Sequence, residues 1–353
     1  MSATDSPGND PRDITNLFLN QTFKLYKSNQ ALIPSSTGTS VSSGFSLSPA
    51  QTSYLKNNIA KQLFHIYRTQ KNSDVEAELI PRFNTYKDII PELKVIFGFR
   101  NTYRRNNVYS IQYLVIKTAN RALQLPRQVF VFVNRDGDTP NPNTFNTVIL
   151  NRVASSGTHA GTNKFILSLL ENMPESSTSM VIKNYRMNDR YIGSLANELF
   201  NGIKGFRETR VDTEIRWVDE LIGDLDITYA LGKEVSAFAS GPIINSNLRN
   251  ISVNIPRKDI TKFIDKYEEE EQSNEHESPL HITTIVNDFL RESSTINFDN
   301  LSIVKLTTNV VNISIEGKFK IFGDRFSNDS NSLLKDELVW FLLESVYNEQ
   351  TLQ

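Results

Sequence analysis

The chain of 353 residues contains no cysteine. This excludes disulfides, thiolate zinc sites and cysteine nucleophiles together, and it fits a reducing compartment. Histidine is scarce: His65, His159, His276 and His281 show neither metal-ligand spacing nor a triad partner. His65 falls among core positions of a helix and reads as structural. No apolar run approaches the roughly 20 residues a membrane helix needs. The start, MSATDSPGNDPRD, is polar and acidic, unlike a signal or transit peptide, so a soluble intracellular protein is expected. Glycine (15) and proline (13) are scattered and mark no fixed-period repeat. Neither sign of charge dominates: the formal net charge is −2, so the protein as a whole is not a polycation.

The strongest pattern present lies near the C-terminus, in Leu301–Phe322 (LSIVKLTTNVVNISIEGKFKIF). Val311, Ile313, Ile315, Phe319 and Ile321 alternate with polar residues, the period of a strand with one buried face. Val304, Leu306 and Val310 alternate in the opposite phase. A bulge or tight turn near Thr307–Asn309 is therefore needed to keep both apolar sets inside. Gly317 sits at an inward position; either the strand runs through it or Glu316-Gly317-Lys318 makes a hairpin loop. A helix follows, capped by Ser332, with Leu334, Leu338, Phe341 and Leu342 at helical spacing. Such a long alternating run would be an aggregation liability as a bare edge. It is expected to pair with a second subunit, with Val310, Val311, Ile313, Ile315 and Phe319 as interface residues.

Taken in order, residues 1–12 read as a disordered tail and 13–34 as a region holding a first strand at Asn20–Lys27. Residues 35–48 form a Ser/Thr/Gly-rich linker. Ser48-Pro49 opens a helix with a capping hydroxyl and a proline at the first helical position, striped by Leu55, Ile59, Leu63 and Ile66 and ending near Gln70. Strands are expected at Leu93–Phe99, Val108–Thr118 and Gln128–Asn134, and a short apolar segment at Thr144–Asn151. Then follow a helix at Gly161–Met173, a strand at Met180–Tyr185 and a helix at Asp189–Ile203. Further strands are read at Leu225–Leu231 and Leu248–Ile255. Residues 49–260 thus form a helix and sheet core, 261–300 an acidic loop with a helix at His281–Phe289, and 301–353 a dimerisation region. Grouped strands without regular βαβ alternation predict an α+β fold: a large, curved, mostly antiparallel sheet flanked by helices, ending in strands and a C-terminal helix.

Charge is uneven along this frame. Lys94, Arg100, Arg104, Arg105, Lys117, Arg121, Arg127 and Arg135 lie in one stretch with no acid among them, interleaved with Tyr103 and Tyr109. This is the footprint of phosphate contact, or else a solvated face balanced by acids elsewhere. Arg100, Arg104, Arg105, Arg121 and Arg127 are the candidate phosphate-contact residues, for DNA if the ligand is a duplex. Asp265–Asp299 holds ten acids against two bases, including Glu268–Glu271, and reads as a polar loop. Enzyme signals are weak. Asp219, Glu220, Asp224 and Asp226 could hold a divalent cation, yet Asp224 and Asp226 alternate with Leu225 and Ile227 as the wet face of a strand would. Ser155–Lys164 has the glycines and lysine of a phosphate loop at the wrong spacing. No catalytic residue, metal or cofactor is assigned.

Several blocks resemble, in order, the centromere protein L family. They are FLNQTFKLYK at Phe18–Lys27, the helix Ser53–Tyr67, KVIF at Lys94–Phe97, Val108–Lys117 and Val129–Phe132. RYIGSLANELF at Arg190–Phe200, Trp217, DLDITY at Asp224–Tyr229 and the terminal Ser302–Ile321 complete them. The low-complexity insertions suggest a fungal version. The resemblance implies a non-enzymatic scaffold subunit of the inner kinetochore in the nucleus, acting in chromosome segregation. Its implied partners are a centromere protein N homologue, bound as a heterodimer through the C-terminal sheet, other inner kinetochore subunits, and centromeric DNA or nucleosomes. It implies no membrane and no small-molecule substrate. An RNA-binding nucleoprotein, viral or cellular, is the alternative that the basic stretch alone allows.

Overall fold

The computed structural model describes residues 15–33, 46–70, 83–104, 107–120, 123, 125–135, 145–153, 160–175, 179–187, 191–197, 223–230, 250–262, 282–293, 298, 301–325 and 332–351. In chain order the elements are α1 (Thr15–Phe18), β1 (Thr22–Ser28), α2 (Pro49–Gln70), β2 (Leu93–Arg104), β3 (Asn107–Thr118), β4 (Gln128–Arg135) and β5 (Thr147–Val153). They continue with α3 (Ala160–Glu171), β6 (Ile182–Asn184), β7 (Leu225–Ala230), β8 (Asn250–Ile255), α4 (Ile282–Ser293), β9 (Ser302–Thr307), β10 (Val311–Ser314), β11 (Lys318–Ile321) and α5 (Ser332–Thr351). Shorter helical stretches occupy 191–197 and 257–262. The fold is α+β, its eleven strands forming antiparallel sheet that does not close. The chain divides into two compact units, Phe23–Tyr185 with Val346–Gln353 and Met1–Thr22 with Arg186–Ser345.

In the first unit the strands run β2-β3-β4-β5-β1, and β6 pairs with β1. The β2–β3 hairpin is paired from Leu93↔Thr118 to Arg104↔Asn107. Leu114, Ile116, Phe130, Phe132 and Ile149 share one face, packing with Leu55, Ile59 and Leu63 of α2 and Ile166, Leu167 and Leu170 of α3. α2 spans the expected residues and begins with a reciprocal cap. The Gln51 amide donates to Ser48 Oγ at 3.1 Å, and the Ser48 amide donates to Gln51 Oε1 at 3.1 Å. On the opposite face Tyr109, Ile111, Val129, Val131 and Val133 are also buried, and Tyr347 from the end of α5 meets Tyr109 edge to face at 5.9 Å. With both faces covered, β4 reads as an unbroken apolar run rather than an alternating one. His65 is exposed on α2 instead of lodged in the core, because it falls off the Leu55–Ile59–Leu63 stripe.

In the second unit the order is β11-β10-β9-β7-β8. The phase change in the terminal stretch is a tight turn, not a bulge. The Thr308 amide donates to the Val311 carbonyl at 2.8 Å, and the Val311 amide donates to Thr308 Oγ1 at 3.1 Å. β10 and β11 then form a hairpin paired Val311↔Ile321 to Ser314↔Lys318, with Ile315, Glu316 and Gly317 in the loop. Gly317 there has φ +72°, a left-handed conformation that glycine adopts without steric cost. The loop begins one residue earlier than Glu316, since Lys318 is needed to close the ladder. Tyr229 of β7 anchors α4: it stacks edge to face on Phe298 at 5.0 Å and its hydroxyl donates to Asn287 Oδ1 at 3.2 Å.

Candidate nucleic-acid and partner surfaces

The five apolar residues expected at a partner interface all lie inside this chain. Val310, Val311, Ile313, Ile315 and Phe319 are each buried, with Val311 at 0% exposure. β10 lies between β11 and β9, and β9 between β10 and β7. β9 and β10 therefore present no open edge, because the chain's own strands pair along both sides. At the other end of this order the last described strand is β8. Its Ile251 and Val253 are half-buried, although they face Tyr229 and Ile227 of β7, which are buried. Its other face is polar: Asn254 Nδ2 donates to Asp226 Oδ1 at 2.6 Å, and the Ser252 and Thr228 hydroxyls lie 3.1 Å apart.

Of the five candidate arginines, Arg100 and Arg127 are the two whose side chains are described, and they lie apart. Arg105 and Arg121 lie outside the described residues, and Arg104 closes β2 as the last residue of the hairpin ladder. Arg100 is exposed on β2, six residues and so roughly 20 Å along the strand from Lys94. Arg127 is exposed and precedes β4 at the other end. The register instead aligns a different set there. Lys94 is directly opposite Lys117. Lys117 and Arg127 each lie one residue beyond the last β3–β4 pair, Ile116↔Gln128. Arg152 lies one residue beyond Asn151, which pairs with Phe130 on β4. Asn151 points to the helix-covered face, where its Oδ1 accepts from Asn163 Nδ2 of α3 at 2.9 Å, so Arg152 points to the other. Burial first, and the neighbouring Arg127 guanidinium second, lower the pKa of Arg152.

Lys94, Lys117, Arg127 and Arg152 thus share one face and one end of strands β2 to β5. Arg152 lies outside the basic stretch and was missed by composition. Its only sequence signal is a charge near the end of the short apolar segment TVILNRV. A second basic pair, Lys27 opposite Lys183, flanks the Phe145 ring at 5.6 and 4.4 Å from its centroid.

The acidic candidates take structural roles. Asp224 Oδ1 accepts from the amide of Arg257 at 2.9 Å, at the start of the 257–262 helix, and Asp226 is bound by Asn254. Asp219 and Glu220 fall outside the described residues. Among the described residues no group of three or more His, Asp or Glu side chains could hold a metal, and no helix is long and apolar enough to cross a membrane.

The geometry defines a class first: an α+β sheet scaffold whose notable surfaces are a basic strand end and a sheet edge. Residues 150–351 match the family model for centromere protein L, more than half of the chain, and the chain belongs to that family. It is a kinetochore subunit by that membership, from a structural family of the nuclear centromere that acts in chromosome segregation alongside inner kinetochore partners. The nucleoprotein alternative is left without support. No curated protein matches the chain.

Proposed function

We propose that this kinetochore subunit is a non-enzymatic scaffold that pairs with a centromere protein N homologue through the sheet of its second unit and lends a basic surface to centromeric DNA. The carrying observation is the extent of the family match, which includes every strand from β7 to β11. In this reading Val310, Val311, Ile313, Ile315 and Phe319 act from within, packing the core of a sheet whose outer strand β8 offers the pairing edge. Half-buried Ile251 and Val253 leave apolar surface for a partner strand to cover, the usual logic of strand addition. The basic residues at one end of β2 to β5, Arg127 among them, contact phosphates without reading sequence.

Neighbouring amides on an edge strand point alternately to the ladder and away from it. Proline at Ser252 and proline at Val253 therefore remove one inward and one outward donor. The variant losing the outward amide is expected to keep its melting temperature within about 3 °C, near the scale of 1 kcal/mol or less. It should nevertheless weaken the one-to-one complex with the centromere protein N homologue at least tenfold. Full affinity in both proline variants would rule out β8 as the edge.

A further inference from the structure

We propose that Lys94, Lys117, Arg127 and Arg152 form a phosphate rail that holds one backbone of duplex DNA across, not along, strands β2 to β5. The inference rests on the DNA reading above and names the residues and direction of that contact. Four neighbouring strands contribute one cation each at the same end of the sheet. Three inter-strand gaps of about 4.8 Å give a row roughly 14 Å long. One DNA strand rises about 3.4 Å per nucleotide along the helix axis, so the row spans about four nucleotide steps of one backbone.

Like charges directly opposed on a sheet are destabilising, yet Lys94 and Lys117 form such a pair, and Arg127 lies close enough to Arg152 to lower its pKa. Among the described residues no carboxylate lies within ion-pair distance of Lys94, Lys117 or Arg152. An anion spanning four strands relieves all of these repulsions at once, whereas a single point anion relieves one. Lys117 and Arg152 are half-buried, so their apolar stems lie against the sheet and restrict where the charged heads can reach. This favours a preset contact over a diffuse cloud. Arg100, roughly 20 Å away along β2, lies off the rail.

The test is the affinity of the full-length protein for a mixed-sequence 30-base-pair duplex, read across a salt series. The slope of log affinity against log salt should fall by about 0.9 for each of Lys94→Gln, Lys117→Gln, Arg127→Gln and Arg152→Gln, and by about 3.6 in the quadruple variant. Arg100→Gln should leave the slope unchanged. Because the replacements remove repulsion, the quadruple variant should melt no lower than the parent; a lower melting temperature would return the row to the packing of the fold and overturn the rail. A quadruple variant that binds duplex with the parental slope also overturns the rail while leaving DNA binding intact. A loss confined to Arg127 and Arg152 contradicts the extended contact and leaves a point anion site. If the parent itself does not bind duplex at low salt, the DNA reading fails, and the rail with it.

Discussion

Gln112 is fully buried on β3, and its amide holds the backbone of Ile33 from both sides: Nε2 donates to the carbonyl at 2.6 Å and Oε1 accepts from the amide at 2.8 Å. Truncation strands two backbone groups, so Gln112→Ala should cost about 2 kcal/mol in urea unfolding. Ser110, two residues away on the same face, is equally buried, but its hydroxyl has no partner among the described residues. Ser110→Ala should leave the urea midpoint unchanged or raise it, since no bond is lost with the hydroxyl. A loss above about 1 kcal/mol in the serine variant would show a bond to ordered water. Gly98 matters for space instead of torsion. It pairs with Tyr113, and a Cβ there would overlap the tyrosine ring. Gly98→Ala should displace that ring and change its fluorescence environment. None of these roles is legible in the sequence, where a buried glutamine, serine or glycine in a strand looks like any other.

At the scale of elements the sequence was more informative, and the reason is periodicity. α2 was readable because Ser48, Pro49 and the Leu55–Ile59–Leu63 stripe agree on one start and one face. β10 and β11 were readable because one side of each is buried and the other wet. What escaped was pairing. The alternating pattern of Val311–Ile321 shows which side is inside but not whether a neighbour in this chain or another completes the ladder; β9 and β11 do. Ile313→Asp should accordingly cost several kcal/mol in the isolated protein, before any partner is added. The short 3₁₀ helix Tyr86–Glu92 gives a test by acid. Asp88 accepts from the amides of Thr85 and Asn84, each at 2.8 Å, and these bonds hold its pKa below the ordinary carboxylate value. The stability it contributes is complete above that value, about 3.9, and is lost as pH falls through the lower folded-state pKa. Asp88→Asn should remove this portion of the acid sensitivity, seen as a shallower fall in stability below about pH 4. An identical acid profile in the variant would mean the two bonds contribute nothing.

For the whole molecule, composition excluded much: cysteine-dependent chemistry was ruled out from the start, and the fold class followed from the grouping of strands and helices. The division after Tyr185 had no marker, because the chain returns at Val346 to complete the first unit, where the Tyr185 hydroxyl donates to the Val346 carbonyl at 3.4 Å. Linear reading cannot see such a return. The basic surface was legible as a charge bias but not as a site: strand register, not spacing, brings Lys94, Lys117, Arg127 and Arg152 to one strand end and leaves Arg100 apart. The account as a whole rests on a scaffold subunit that works by pairing. The most direct measurement is quantitative affinity purification of the tagged full-length protein from nuclear extract, digested with nuclease to remove DNA bridging. The account predicts recovery of a centromere protein N homologue at one-to-one stoichiometry, with other inner kinetochore subunits below it. Recovery of the tagged protein without a stoichiometric centromere protein N homologue would contradict it.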